Sequence, residues 1–247
     1  PNDKRNVQAL YDVGMNHLRK GRRNESILAF TDAKKKSDDL KALRLDFNRY
    51  FSSEAVYELA KLKYDDFSKI ELREPNVEQK EDRKLALVKE LITLYEAITG
   101  YAQIRTYEAT YYRGLIREEF GDALASKEFR QEKDISKQIK AQSEVYFGAA
   151  QAYRTSVEEY KNSYAFLNKA YDKLLADEKA LADSVNRLYP KNADSAQMVI
   201  KGVVGGKTAK EKEFSLERQK ELAIEYRDMS RAKVSHILYA VANARKL

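Results

Sequence analysis

The residues in this chain with the types to do chemistry are two histidines, several adjacent carboxylate pairs and one glycine-rich stretch. His17 and His236 are far apart, and neither sits in the His-Glu-x-x-His helical spacing that holds zinc. His17 falls on the packing face of an early helix, and His236 shares a helical line with Leu222 and Met229, so both read as packing residues. Asp65-Asp66 and Glu118-Glu119 are neighbours, which on a helix project in different directions and so do not form a two-carboxylate site. With no cysteine, disulfides, thiol catalysis and cysteine-bound zinc are excluded. The run from Gly202 to Thr208 invites a phosphate-loop reading, but the first glycine of that motif would fall on Lys201 and no strand precedes it. It reads as a flexible loop. We therefore expect no catalytic residue, no metal site and no cofactor.

What remains to be positioned is a set of helices. Three prolines and nine glycines in 247 residues leave long uninterrupted stretches, and apolar residues recur at helical spacing without strand-like alternation. Leu10, Val13, Gly14 and His17 lie on one face of a first helix that Gly21 ends, and Ser26, Phe30 and Ala33 share a face of a second. Asp38 and Asp39 read as the start of another helix, running on or bending slightly through Ser52 and Ser53 to Ile70. Glu74-Pro75-Asn76 marks a loop. Leu85, Val88, Leu91, Ile92, Tyr95 and Ile98 then predict a helix ending at Gly100. Tyr101 to Phe120 is the next helix, with a turn at Gly121-Asp122 into a helix bearing Ala125 and Phe129. Ser136 to Arg154, Val157 to Leu175 and Ala176 to Leu188 follow as separate helices, the last stopped near Tyr189-Pro190, and Glu213 to Lys246 is one long terminal helix. On that helix Ala223, Tyr226, Ser230, Val234, Ile237, Val241 and Ala244 share a face.

The pattern Leu10, Gly14, His17, then Ser26, Phe30 and Ala33, with Gly21 between, resembles the tetratricopeptide repeat family. Two positions depart from it: His17 stands where an aromatic is usual, and Asp38 where the closing proline would be. Gly114 and Gly121 repeat the spacing of Gly14 and Gly21, and Gly148 follows Gly114 by 34 residues, the family's period. The resemblance implies an all-α fold of antiparallel helical hairpins stacked as a right-handed solenoid, closed by the long C-terminal helix as a cap. It also implies a groove lined by the first helix of each hairpin: Tyr11, Met15 and Leu18, then Tyr111, Tyr112 and Leu115, then Tyr146, Ala149 and Tyr153. These residues predict a mainly apolar or aromatic binding surface, and 17 tyrosines suit it, since a phenol ring packs while its hydroxyl stays wet.

The expected organisation is one continuous helical domain over 1–247, with an N-terminal hairpin and long helix (1–71), central hairpins (76–190), an irregular loop (191–212) and the C-terminal helix (213–247). The expected function is a non-enzymatic scaffold binding a protein or peptide. A net charge of +7 raises the alternative of an anionic polymer, nucleic acid or cell-wall glycan, yet 46 basic residues are interleaved with 39 acidic ones, as on a solvated, ion-paired surface. Nucleic acid is accordingly the lesser expectation. No stretch reaches the roughly 20 apolar residues that cross a bilayer. The chain opens on Pro1 and avoids cysteine, so we expect export to a bacterial periplasm or envelope, with membrane contact only through a lipid anchor ahead of Pro1; a cytoplasmic location is the alternative.

Overall fold

The computed structural model describes residues 3–128, 134–188, 193–206 and 215–244. Among these the fold is all-α: α1 (Arg5–Arg19), α2 (Arg23–Ala42), α3 (Arg49–Ser68), α4 (Val77–Tyr101), α5 (Arg105–Ala125), α6 (Ile135–Leu188), α7 (Ala193–Gly205) and α8 (Leu216–Ala244). Neighbouring helices pack in sequence, as in a solenoid-like array. By packing the chain divides into two compact units, Pro1–Glu159 and Tyr160–Leu247, and α6 contributes to both.

In the first unit, the predicted hairpin forms at the predicted residues. Gly21 takes a left-handed backbone (φ 69°), and the Arg22 amide donates to the His17 carbonyl at 2.9 Å while the Gly21 amide donates to Leu18 at 3.0 Å. That closes α1 by satisfying its last carbonyls, a conformation that costs glycine nothing. Gly14 then lets the fully buried Phe30 lie against the α1 backbone, since a Cβ at residue 14 would sit 2.4 Å from the Phe30 ring. Ser26 and Ala33, on either side of Phe30, are likewise buried.

Beyond that hairpin, several helix boundaries differ from the sequence reading. Asp38 and Asp39 do not begin a helix; they lie inside α2, which ends at Ala42. Its ending has the same hydrogen-bond pattern as α1, with Leu45 donating to Leu40 and Arg44 to Lys41, but the left-handed residue is Arg44 (φ 56°) rather than a glycine. Asn48 caps α3, its side chain accepting from the Phe51 amide at 3.4 Å. Ser52 and Ser53 are fully buried within α3, and Ser52 Oγ lies 2.7 Å from Ser37 Oγ of α2. Ser37 and Ser52 are small residues where two helices meet, each bonding back to its own helix, Ser37 to Ala33 and Ser52 to Asn48, whereas the buried Ser53 hydroxyl has no partner among the described residues.

The Glu74-Pro75-Asn76 loop opens α4 as expected, and α4 ends at Tyr101 with Ala102 left-handed (φ 53°). Across the α3–α4 connection, the buried Lys84 ammonium donates to the carbonyls of Phe67 (2.8 Å) and Ile70 (2.9 Å) and lies 4.0 Å from the Phe67 ring centre. A cation thus meets the carbonyl end of α3, where the helix dipole is negative. The core of this unit gathers Phe30, Val56, Leu59, Phe67, Leu91, Tyr95, Ile98 and Ile116 from α2 to α5.

Gly121 is not a turn. It is buried inside α5, and the Tyr153 ring of α6 covers the place of its missing Cβ at 3.0 Å. The helix predicted to carry Ala125 and Phe129 is therefore absent as such: α5 runs to Ala125, and Phe129 lies outside the described residues. Nor is α6 divided at Arg154 or Leu175; it is one helix of 54 residues. Ser156, which falls between two helices that the sequence reads as separate, donates from the core to the Gly114 carbonyl of α5 at 2.9 Å.

In the second unit, α8 pairs antiparallel with the 160–188 part of α6: Ser230 meets Ser163 (3.1 Å), Arg227 lies over Tyr171, and Lys220 meets Glu178 (2.6 Å). Tyr160, Leu167 and Leu174 of α6 and Ala223 and Ile237 of α8 are buried. Where the sequence predicts an irregular segment, residues 193–205 form α7, so Gly202 is helical; Lys207 and Thr208 lie outside the described residues.

A candidate binding face where α1, α3 and α5 meet

Helices α1, α3 and α5 touch one another, α1 with α3 and α3 with α5, besides packing on their sequence neighbours. This alternate-helix contact is what stacking one hairpin on the next produces. The shared face carries charge. Arg105 of α5 grips Glu54 of α3 with two hydrogen bonds, 2.9 Å from Nε and 3.1 Å from Nη2, a forked geometry that fixes both side chains. Its guanidinium lies 4.2 Å from the Tyr57 ring centre, and the Tyr57 hydroxyl donates to Glu108 at 2.6 Å. Toward the chain's next turn on α3, Lys61 pairs with Glu58 at 3.1 Å, and Tyr64 donates to Glu119 at 2.6 Å.

The site's electrostatics follow from partial burial. Burial, and then the Glu108 carboxylate accepting its hydrogen bond, holds the Tyr57 phenol far above its usual range. Tyr11 is pushed up to about 12 by burial first and by Glu54, Tyr50 and Glu58 next. For Arg105 burial works against the charge, and the hydrogen bonds and charge of Glu54 more than offset it. Burial raises the Glu119 carboxyl, with the Tyr64 hydroxyl and Lys84 opposing.

The residues read from the sequence as groove-lining are spread over several environments. Tyr11, Met15 and Leu18 are half-buried against the core, the Tyr11 ring 5.4 Å from Phe51 and 6.1 Å from Phe30. Tyr111 is buried. Tyr112 is half-buried, stacked 5.5 Å from Tyr95 and edge-on to Tyr64, and Leu115 is half-buried. Ala149 is buried, and Tyr153 packs on Gly121 with its hydroxyl on Asp122 at 2.6 Å. Tyr146 alone of the nine stands mostly in solvent, 59% exposed. The structure brings Tyr11 and Tyr112 to the shared face and leaves Tyr146 and Tyr153 on α6. Sequence reasoning missed Glu54, Tyr57, Glu58, Arg105 and Glu108. The available signal was Glu54, Tyr57, Glu58 and Lys61 on one side of α3, at the spacing of i, i+3, i+4 and i+7.

No family model, curated protein or solved structure matches the chain.

The site therefore rests on its own chemistry. It offers phenol hydroxyls, carboxylate oxygens and the exposed Lys61 ammonium, beside half-buried rings. Such groups hydrogen-bond and stack on a polypeptide segment. The first unit also holds a cleft of about 630 Å³ lined by Glu74, Glu78, Glu81, Glu128 and Glu144, with Lys127 paired to Glu81.

Proposed function

We propose that the chain is a non-enzymatic interaction scaffold, a divergent tetratricopeptide-like array. In this reading α1 with α2, α3 with α4, and α5 with the first part of α6 are its hairpins, and a protein or peptide segment lies against α1, α3 and α5. The observation that carries the reading is the alternate-helix contact of those three helices, which gathers phenols and carboxylates on one face, with Tyr64, Glu108 and Glu119 half-buried and Glu54, Tyr57 and Glu58 buried. The Gly14–Phe30 contact and the Gly21 turn support the family likeness. Glu54, Glu58, Glu108 and Glu119 outnumber Arg105 and Lys61 there, so the segment bound carries lysine or arginine beside an apolar residue. The setting we favour is a bacterial envelope. Among the described residues no helix is long and apolar enough to cross a membrane.

The test uses the intact chain as bait in native extract, with captured proteins identified by mass spectrometry. Tyr50→Ala removes a half-buried ring of α3 that packs edge-on to Phe51, against which Tyr11 also lies, and Lys61→Glu reverses an exposed charge. A central aromatic is worth about 2 kcal/mol, so Tyr50→Ala should lower capture of a specific partner roughly 30-fold while circular dichroism stays unchanged. Wild-type capture by both folded variants would remove the face from consideration.

A further inference from the structure

Glu54 and Glu58 lie one turn apart on α3 and are both buried, at 5% and 9% exposed. Their partners differ. Glu54 is held by Arg105, which reaches it from α5 through two nitrogens. Glu58 has a single hydrogen-bond or ion-pair partner among the described residues, the Lys61 ammonium, 3.2 Å from one carboxylate oxygen and 3.1 Å from the other. Lys61 comes from the same helix, three residues on, and its side chain is 55% exposed. A carboxylate taken out of water needs firm donors, whereas a pair with an exposed, rotatable lysine contributes little. Glu54, Glu108 and Glu119 each have a donor from another helix, namely Arg105, Tyr57 and Tyr64. Glu58 has none.

The surroundings of Glu58 suit a flat cation. The ring of the adjacent Tyr57 already has the Arg105 guanidinium 4.2 Å and the Lys61 ammonium 5.6 Å from its centre. Tyr11 of α1 stands on the other side, its phenol raised by burial, Glu54, Tyr50 and Glu58 in that order. The Tyr11 hydroxyl makes no hydrogen bond among the described residues. One turn earlier, Glu54 shows what such a place holds, a guanidinium forked onto a carboxylate and set against a phenol ring.

We infer that Glu58 is the floor of a second guanidinium site, that an arginine side chain of the bound segment occupies it, and that Lys61 fills it in the free protein. This site lies within the groove proposed above, rests on that reading and narrows it: the basic residue recognised is arginine, and its seat is Glu58. A guanidinium places two N–H groups on two carboxylate oxygens at once and lays a flat face on a ring, whereas an ammonium is a point charge with neither property. The departing Lys61 moves into water, where more than half of its side chain already stands.

Fluorescence anisotropy of the full chain tests this with three fluorescein-labelled peptides, Ala-Phe-Arg-Phe-Ala-amide and its lysine and citrulline counterparts. Citrulline keeps the shape of arginine and loses the charge. The arginine peptide should bind more tightly than the lysine peptide and about tenfold more tightly than the citrulline one. Lys61→Met should tighten the arginine peptide about threefold by removing the competing pair. Glu58→Gln should bring arginine and citrulline level, and both variants should keep the circular dichroism of the wild type. Lys89→Met, at an exposed lysine of α4 outside the face, changes the net charge equally and should leave the affinities as they are. The arginine site is overturned if the three peptides bind the wild type alike, if none binds at about 1 mM, if Lys61→Met behaves as Lys89→Met, or if Glu58→Gln keeps the arginine preference. Any of these results, with capture from extract still lowered by Tyr50→Ala, removes the arginine site and leaves the groove; without that lowering, both fall.

Discussion

Gly14→Ala is the sharpest probe of how closely α1 and α2 approach. The added methyl would meet Phe30 Cε1 at 2.4 Å, Cδ1 at 2.7 Å and Cζ at 2.9 Å, whereas carbons rest at about 3.5 Å or more. The ring must then retreat by roughly 1 Å, and it has nowhere easy to go: Phe30 is fully buried with Tyr11 against it. Such overpacking costs about 1–3 kcal/mol. Alanine returns up to about 1 kcal/mol over glycine in a helix, so the net expectation is a loss of about 1–2 kcal/mol. Gly100→Ala is the matched control, a helical glycine with nothing within 4 Å of its added methyl, and it should be neutral or stabilising by up to about 1 kcal/mol. Urea unfolding followed by circular dichroism measures both, and Phe30→Leu combined with Gly14→Ala should cost at least about 1 kcal/mol less than the two singly. If Gly14→Ala is as stable as Gly100→Ala, the close approach is wrong and with it the packing of the first hairpin.

Arg105→Met should destabilise the first unit by about 2–3 kcal/mol, because it leaves the buried Glu54 carboxylate without its forked partner; chemical denaturation of Arg105→Met, with Glu54→Gln added to relieve the stranded charge, gives the comparison. Arg44→Gly should stabilise by about 1 kcal/mol, since a left-handed residue with a Cβ is replaced by one without, and a rise in the urea midpoint at unchanged slope would show it. The phenols of Tyr57, Tyr64, Tyr95 and Tyr153 are raised chiefly by burial, so the folded state binds protons that the unfolded state has released. Their stabilisation is complete below the ordinary tyrosine value near 10 and is lost as pH rises from there. Tyrosinate absorbance should therefore appear together with loss of helix in an alkaline titration rather than before it.

Legibility from sequence depended on whether the local chemistry announced itself. The end of α1 was readable because a glycine occupied the left-handed position at residue 21; the end of α2 was not, because Arg44 occupies the equivalent one, while the end of α4 was read at Gly100, one residue short of Tyr101. Gly121 misled for the opposite reason, since glycine serves both turns and tight helix contacts and only the Tyr153 ring across from it decides. Ser52 and Ser53 read as the place of a slight bend and Ser156 as lying between two helices, yet each lies buried in an unbroken helix. The binding face was hidden more deeply. Glu54 and Arg105 are separated by 51 residues, and nothing short of folding says that they meet. The tyrosines chosen by family position divided between core and surface, Tyr111 being buried and Tyr146 mostly exposed on another helix.

Lys84 carries a consequence for how the molecule would report on itself. The residue is 4% exposed, and its amine donates to two carbonyls and is pulled below its ordinary basicity by burial, whereas the other described lysines are half-buried or exposed. An acylating reagent would modify the exposed amines at once and reach this one only when the end of α3 separates from α4. The rate of that single late modification, read by peptide mass, is then a clock for local opening at the α3–α4 junction, and once acylated the side chain has no charge to hold the carbonyls it left.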